Sequence, residues 1–320
     1  MALTGIQIYK LLPQTNCKEC DFPTCLAFAM KLAAKQVELA KCPYVSEESA
    51  AQLAEAAAPP VRPIMVQSNG HEVKGGNEVV MFRHNKKFFS PPGLFLRVYD
   101  DQSADEIKAK VKPVSEYVVD YVGMDLSMGG IAVQARGGDF QAAVKAVRET
   151  TSLPLVLIAP PEALKAALSD LGEGDVPLLA SATSDNWEAM AEVAKEFNAP
   201  LAVEAGNIDD MVALVEKLEA KDLKDFVLAP KQRTLIGTLT ANTTIRRMAL
   251  KENFRQLGFP ILNFPGDAGD PVRELTLAMQ AIGKYGSFIV LDHFDPATAY
   301  SLLVLTANIY TDPQLSLIHI

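Results

Sequence analysis

The chain has 320 residues, is 49% hydrophobic, and sets 30 basic against 39 acidic side chains for a net charge of −9. A chain of this size can bury a large core and suits one small domain beside one of barrel size. It offers no basic stripe for a nucleic-acid backbone, no apolar run long enough to span a bilayer and no charged n-region before an apolar h-region. The expectation is a cytoplasmic protein with no nucleic-acid or membrane partner.

Residues 1–57 hold five lysines and six acidic residues, a net −1, so −8 falls on the rest. They also hold all four cysteines, spaced Cys17-x2-Cys20-x4-Cys25-x16-Cys42. One close pair, a third thiolate soon after and a distant fourth can supply one soft sulfur to each iron of a [4Fe-4S] cubane. Pro43 after Cys42 fits the same habit. Structural zinc sites more often show two paired knuckles, so zinc is the lesser reading, with disulfides or free thiols behind it.

Thr4-x-x-Gln7 forms a capping box for a short helix through Ile6, Tyr9 and Lys10, and Pro13 stops it. Asn16 and Asp21 suit tight turns. Pro23 and Thr24 launch a second helix with Cys25 at its start and Leu26, Met30, Ala33, Val37 and Ala40 as its core stripe over the cluster. Run straight to Cys42, that helix would part the third and fourth ligands by roughly 25 Å. A break is therefore expected near residues 34–41. Ser46 and Ser49 cap an alanine-rich run, and Pro59, Pro60 and Pro63 force an extended exit. The domains read as 1–57 for the cysteine unit, 58–77 for a linker, 78–312 for a barrel and 313–320 for a tail.

Beyond the linker one unit repeats. Apolar runs beginning at Leu94, Gly130, Pro154, Val176, Pro200, Asp225, Pro260 and Ser287 each precede a helical pattern, with starts 36, 24, 22, 24, 25, 35 and 27 residues apart. Eight such pairs predict an α/β fold, a TIM (β/α)8 barrel, preceded by a small α-rich [4Fe-4S] domain. An open doubly wound sheet is the lesser alternative, because no G-x-G-x-x-G follows an early strand. Residues 78–89 are read as a hairpin sealing the barrel floor, with the true first strand as the lesser alternative.

The strand ends offer Asp100, Asp101, Gln134, Arg136, Asp185, Glu204, Asn207, Lys231, Asn263, Asp292 and His293 to the barrel mouth. Asp139, Ser184, Asn207, Thr240, Asp270 and Asp295 precede helices and are read as caps first. His71, His84, His293 and His319 are scattered, and Asp292-His293 reads as a packed strand end. GGDF at residues 137–140 ends in Gln141 and is discarded as a cyclase signature. The mouth is polar but specifies no substrate, and no self-contained active site is evident.

LLPQTNCKECDFPTCLAFAMKLA, the fourth cysteine in KCPYVSEES, the proline tether, RHNKKFFSPPGLFLRV and LSMGGIAVQARGGDF together resemble the large (gamma) subunit of corrinoid iron-sulfur proteins, shared with the archaeal acetyl-CoA decarbonylase/synthase complex. The resemblance covers nearly the whole chain and implies a component of a corrinoid-dependent methyl-transfer system. In that family a cobalt corrinoid takes methyl from methyltetrahydrofolate, presented by a methyltransferase, and passes it to acetyl-CoA synthase. It implies a [4Fe-4S] cluster on Cys17, Cys20, Cys25 and Cys42 that reduces inactive Co(II) corrinoid, and a small (delta/beta-type) subunit as partner. Family members continue into a corrinoid-binding domain, whereas this chain ends at NIYTDPQLSLIHI. It is read as a truncated form, with corrinoid (cobalamin) expected only with that absent domain and the small subunit. Two other readings stay open: a pterin-binding methyltransferase barrel using Glu204, Asn207, Asn263 and Asp292, and a zinc-binding scaffold module.

Overall fold

In the computed structural model, residues 4–33, 36–46, 48–50, 53, 59–172 and 174–311 are described. The chain divides into two compact units, Met1–Pro59 and Pro60–Ile320.

The first unit contains α1 (Gly5–Leu11), α2 (Cys25–Ala33) and a 3-10 turn over Leu39–Lys41. Thr4 caps α1 in the predicted box with Gln7, and the extended Leu12 before Pro13 ends it. Helix α2 stops at Ala33 and the 3-10 turn delivers Cys42, so the expected break is present. The expected core stripe is present only in part, in Ala33 and Val37, which pack against the buried cluster. Leu26 and Met30 are 41% and 54% exposed, and the buried residues are Cys25, Phe28 and Ala29. Burial of Cys25 sets the helix phase: positions three and four residues on then face inward, and Phe28 meets Phe22 with ring centroids 5.6 Å apart. Ser46 accepts the Ser49 amide, the start expected for the alanine-rich helix. Most of residues 51–58, His319 and the tail at 313–320 lie outside the described residues.

The second unit is a closed parallel barrel. Its strands are β3 (Gly93–Tyr99), β6 (Gly130–Gln134), β7 (Leu155–Ile158), β8 (Leu178–Ala182), β9 (Leu201–Ala205), β10 (Phe226–Pro230), β11 (Ile261–Asn263) and β12 (Gly286–Leu291). They pair in chain order, and β12 closes on β3 from Phe288↔Gly93 to Leu291↔Leu96. Every predicted repeat start falls within two residues of one of these strands. Helices α3 (Ala104–Ser115), α4 (Phe140–Thr150), α5 (Pro161–Leu168), α6 (Trp187–Glu196), α7 (Ile208–Glu219), α8 (Leu235–Lys251), α9 (Pro271–Gly283) and α10 (Pro296–Tyr310) follow the strands in turn. The two long spacings have separate causes. An antiparallel pair, β4 (Val118–Tyr121) and β5 (Met124–Ser127), is inserted before the second barrel strand. The 17-residue α8 and a 3-10 turn at Arg255–Leu257 lengthen the sixth repeat.

The floor corrects the expectation. Residues 78–89 contain no strand; they turn at Phe82–Asn85 and bury only Met81 and Phe88 as apolar anchors, Phe88 lying between the rings of Tyr285 and Tyr310. The exposed run His84–Lys87 and the left-handed Gly76 and Asn77 divert the chain from a ladder. The hairpin lies earlier, in residues read as linker: β1 (Ile64–Ser68) pairs with β2 (His71–Gly75) through Asn69-Gly70, both at positive φ. An Asn-Gly pair between alternating apolar residues is the strongest local hairpin signal. Ile64, Val66 and Val73 pack against Phe95, Ala132 and Phe288 inside the barrel. Gly93 makes room, since a Cβ there would stand 2.5 Å from Val73.

Candidate iron-sulfur site and the barrel mouth

Between α1 and α2 the chain winds through Gln14, Asn16, Lys18 and Asp21, all at positive φ. Asn and Asp adopt this conformation readily, whereas Gln and Lys do so at some cost. Loops of alternating handedness gather backbone N–H groups into concavities that hold anions, Fe–S clusters among them. One such group is already on a sulfur: Asn16 N–H donates to Cys25 Sγ at 3.4 Å, while Asn16 Oδ1 accepts the Cys25 amide at 2.8 Å. This reciprocal pair staples the Cys17 loop to the start of α2.

The fourth cysteine is tied to the same loop. Tyr44 Oη donates to Glu19 Oε1 at 2.8 Å, and Lys41 pairs with Asp21 at 3.9 Å. The Glu19 bond and charge hold the Tyr44 hydroxyl above the usual phenol range. Cys20 and Cys25 are buried in a small cluster with Ile8, Leu12, Phe28, Ala29 and Leu53; Cys42 packs against it, and Cys17 is exposed. Among the described residues no group of three or more His, Cys, Asp or Glu is arranged to hold a metal ion. The donor set nonetheless fits an iron-sulfur cluster in its chemistry: four free thiols, two of them buried, in one unit, with an amide already donating to sulfur.

At the barrel mouth the polar groups answer one another. Arg97, its side chain 4% exposed inside β3, reaches Asp292 at 2.6 Å, Asp267 at 2.7 Å and Gln134 at 2.8 Å. Burial alone would lower its pKa; the hydrogen bonds and charges of Asp292 and Asp267 outweigh that and hold it above its usual range. Tyr99 Oη donates to the second Asp292 oxygen at 2.7 Å, and burial followed by this bond pushes the phenol up to about 12. Arg233 bridges Glu204 and Asp267. His293 Nδ1 lies 2.6 Å from Glu274, whose other oxygen accepts the Asp292 and His293 amides.

The four groups offered to a pterin are thus engaged within the protein. Glu204 and Asp292 are ion-paired, Asn207 caps α7, and Asn263 pairs with Asn242. Asp139, Asp270 and Asp295 cap their helices as expected. Thr240 does not, because α8 begins earlier behind Thr234; nor does Ser184, as the turn before α6 is closed by Asn186 on Thr183. Sequence reading missed Arg97, Arg233 and Glu274. A single arginine in the apolar run LFLRVYD was the available signal for Arg97.

A four-cysteine helical unit with a parallel eight-stranded barrel is the class of protein these observations define. Residues 64–318 match the family model for "CO dehydrogenase/acetyl-CoA synthase delta subunit", and residues 12–44, which contain all four cysteines, match "Putative Fe-S cluster". The corrinoid/iron-sulfur protein large subunit of Moorella thermoacetica is 40% identical over 318 residues, covering 98% of this chain and 71% of that one. The acetyl-CoA decarbonylase/synthase complex subunit gamma of Methanopyrus kandleri is 34% identical over 98% of this chain and 70% of its own. Subunit gamma 1 of Methanosarcina mazei is 33% identical, covering 97% and 70%. Among solved structures the chain is similar to dihydropteroate synthase (FolP) from Thermus thermophilus, at 14% identity and a TM-score of 0.49, over 77% of this chain and 100% of that one. The chain belongs to the family of corrinoid/iron-sulfur protein large subunits and acetyl-CoA decarbonylase/synthase gamma subunits.

Proposed function

We propose that this chain is the large subunit of a corrinoid iron-sulfur methyl carrier in which Cys17, Cys20, Cys25 and Cys42 ligate one [4Fe-4S] cluster. The observation that carries the reading is the coincidence of all four cysteines with the family match at residues 12–44. When bound, the cluster supplies the single electron that returns Co(II) corrinoid to Co(I).

The chain's own residues have definable roles. The Asn16 amide at Cys25 Sγ stabilises charge on that sulfur and so favours the reduced cluster, raising its potential. Ile8, Leu12 and Phe28 shield Cys20 and Cys25 from water, while Cys17 would be the solvent-exposed ligand of the cluster. The names of the relatives support a corrinoid and acetyl-CoA setting; in the proposed reading methyl passes from methyltetrahydrofolate, through a methyltransferase, to the corrinoid and on to acetyl-CoA synthase. The small subunit is the partner, and corrinoid is held with it and a corrinoid-binding domain.

Anaerobically purified protein is expected to contain iron and labile sulfide and to give a reduced-cluster EPR signal. With corrinoid and small subunit present, Cys20→Ala should abolish reductive reactivation but spare methyl transfer by corrinoid already reduced. Zinc without labile sulfide would overturn the redox reading.

A further inference from the structure

A cavity of about 660 Å³ opens at the barrel mouth beside α3, and the reading above gives it no role. Its polar lining is Tyr99, Lys110, Arg136, Asp292 and His293. Both Asp292 oxygens are occupied, by Arg97 and Tyr99, and the Arg97 guanidinium offsets its charge. The two remaining cations are under-used. Lys110 is half-buried, donates to the carbonyl oxygen of Arg97 at 2.8 Å and forms no ion pair among the described residues. Burial holds its ammonium below the usual lysine range, with Asp292 offsetting this only in part. A half-buried ammonium facing a cavity with only a neutral acceptor is a group short of an anion.

Arg136 is pre-positioned beside it. Its backbone N–H is fixed to Asp100 at 2.5 Å, and its guanidinium lies 3.4 Å over the Tyr99 ring. The nearest carboxylate, Asp101, is exposed and 4.0 Å away, so the planar fork keeps donors to give. Glu274 holds His293 at Nδ1, leaving Nε2 on the open side of a half-exposed ring. Pro113 and Phe294 add apolar walls. The space exceeds what a bare inorganic anion fills and lies in the range of small-molecule sites. By fold-level analogy alone, the loops after the seventh and eighth strands, here contributing Gly269 and Asp292 to Phe294, are where such barrels often seat phosphate.

We propose that this cavity binds a small organic oxyanion, a phosphate or carboxylate carried on an apolar body, with Lys110 and Arg136 holding the anion and Pro113 and Phe294 against the body. The proposal does not rest on the cluster, because every lining residue belongs to the barrel unit.

Calorimetric titration of the full chain with AMP, citrate and the neutral control adenosine tests it. AMP, citrate or both should bind saturably and more weakly as salt is raised, with the stronger of the two separating phosphate from carboxylate. Lys110→Gln and Arg136→Ala should each weaken that binding on the order of tenfold to a hundredfold, the scale of a charge-assisted hydrogen bond. Adenosine binding as tightly as AMP, an unchanged affinity in folded Lys110→Gln, or no saturable binding of either anion would each overturn the proposal. Should Lys110→Gln not fold, amine labelling of the wild-type chain read by peptide mass spectrometry decides the matter. Lys110 shielded by the anion supports the site; Lys110 equally reactive with and without it overturns the site.

Discussion

The cysteine unit and the barrel satisfy their polar groups in opposite ways. At the barrel mouth a buried arginine has three protein partners, and one of its carboxylates, Asp267, is shared with a second arginine, Arg233. Beneath it the strands bury both faces, so the barrel has its own core. Among the described residues the cysteine unit has a buried cluster of Ile8, Leu12, Phe28, Ala29, Leu53 and two thiols, and its central loop holds four non-glycine residues in the left-handed region. A unit that small is marginal without a staple. The contrast teaches that one region is organised by its apolar interior and that the other, on the proposed reading, depends on a cluster held by its thiols.

The largest effect should follow from taking the ligand away. Chelation of iron under oxidising conditions is expected to remove hydrogen-exchange protection from α1 and α2 while barrel strands keep theirs. The loss would be on the order of 10 kcal/mol, the scale of structural metal sites in small domains. Unchanged protection of the two helices after complete iron loss would break the comparison. Next in size is Arg97→Met, which leaves Asp292 without its cation and Asp267 with Arg233 alone. Breaking one side of a buried pair costs about 3–5 kcal/mol, toward the lower end here because Asp267 is 30% exposed. The urea midpoint of the barrel transition measures it. A cost below about 1 kcal/mol would mean the mouth network behaves like surface ion pairs.

How much of this was legible follows the same division. The barrel strands were readable because apolar runs at a regular repeat leave few other ways to be buried, and because the capping signals of Asp139, Asp270 and Asp295 are local. The mouth network was not, since Arg97 and Asp292 are 195 residues apart and meet only after closure. The floor hairpin was legible in Asn69-Gly70 but was overlooked in favour of a longer apolar stretch at 78–89. In the cysteine unit, spacing pointed to the break after α2, which is present, while the four ligands it also pointed to belong to the proposed function. The face of α2 was misread because its phase is set by Cys25 rather than by the strongest hydrophobic stripe.

A sharper probe of the loop is Asn16, which combines a left-handed backbone with a side-chain bond to the Cys25 amide. Asn16→Ala loses both the bond and part of the conformational preference, about 1–3 kcal/mol together. Asn16→Gly restores the conformation but not the bond. If glycine recovers most of the loss in thermal unfolding of the cysteine unit, the turn dominates; if it does not, the bond does. Either variant that leaves the unit as stable as wild type would remove the loop from the comparison.

The smallest effect tests the barrel side by pH. Tyr99, held at about 12 against an ordinary 10.0, stays protonated where a free phenol would ionise. A raised pKa gives stability that is complete below pH 10, because both folded and unfolded forms are then protonated and only the folded one has the bond to Asp292. That stability declines as pH climbs toward 12, where the folded phenol must also lose its proton. Tyr99→Phe keeps the ring beneath Arg136 and removes only the hydroxyl, so at neutral pH it should cost about 1 kcal/mol. The gap between wild type and variant in urea midpoint should hold steady to pH 10 and then narrow. Tyr285 and Tyr310 are also raised by burial, but they titrate in both proteins and cancel in the difference. A gap that does not change with pH would show that the hydroxyl is uncoupled from Asp292, and that the mouth is held by its arginines alone.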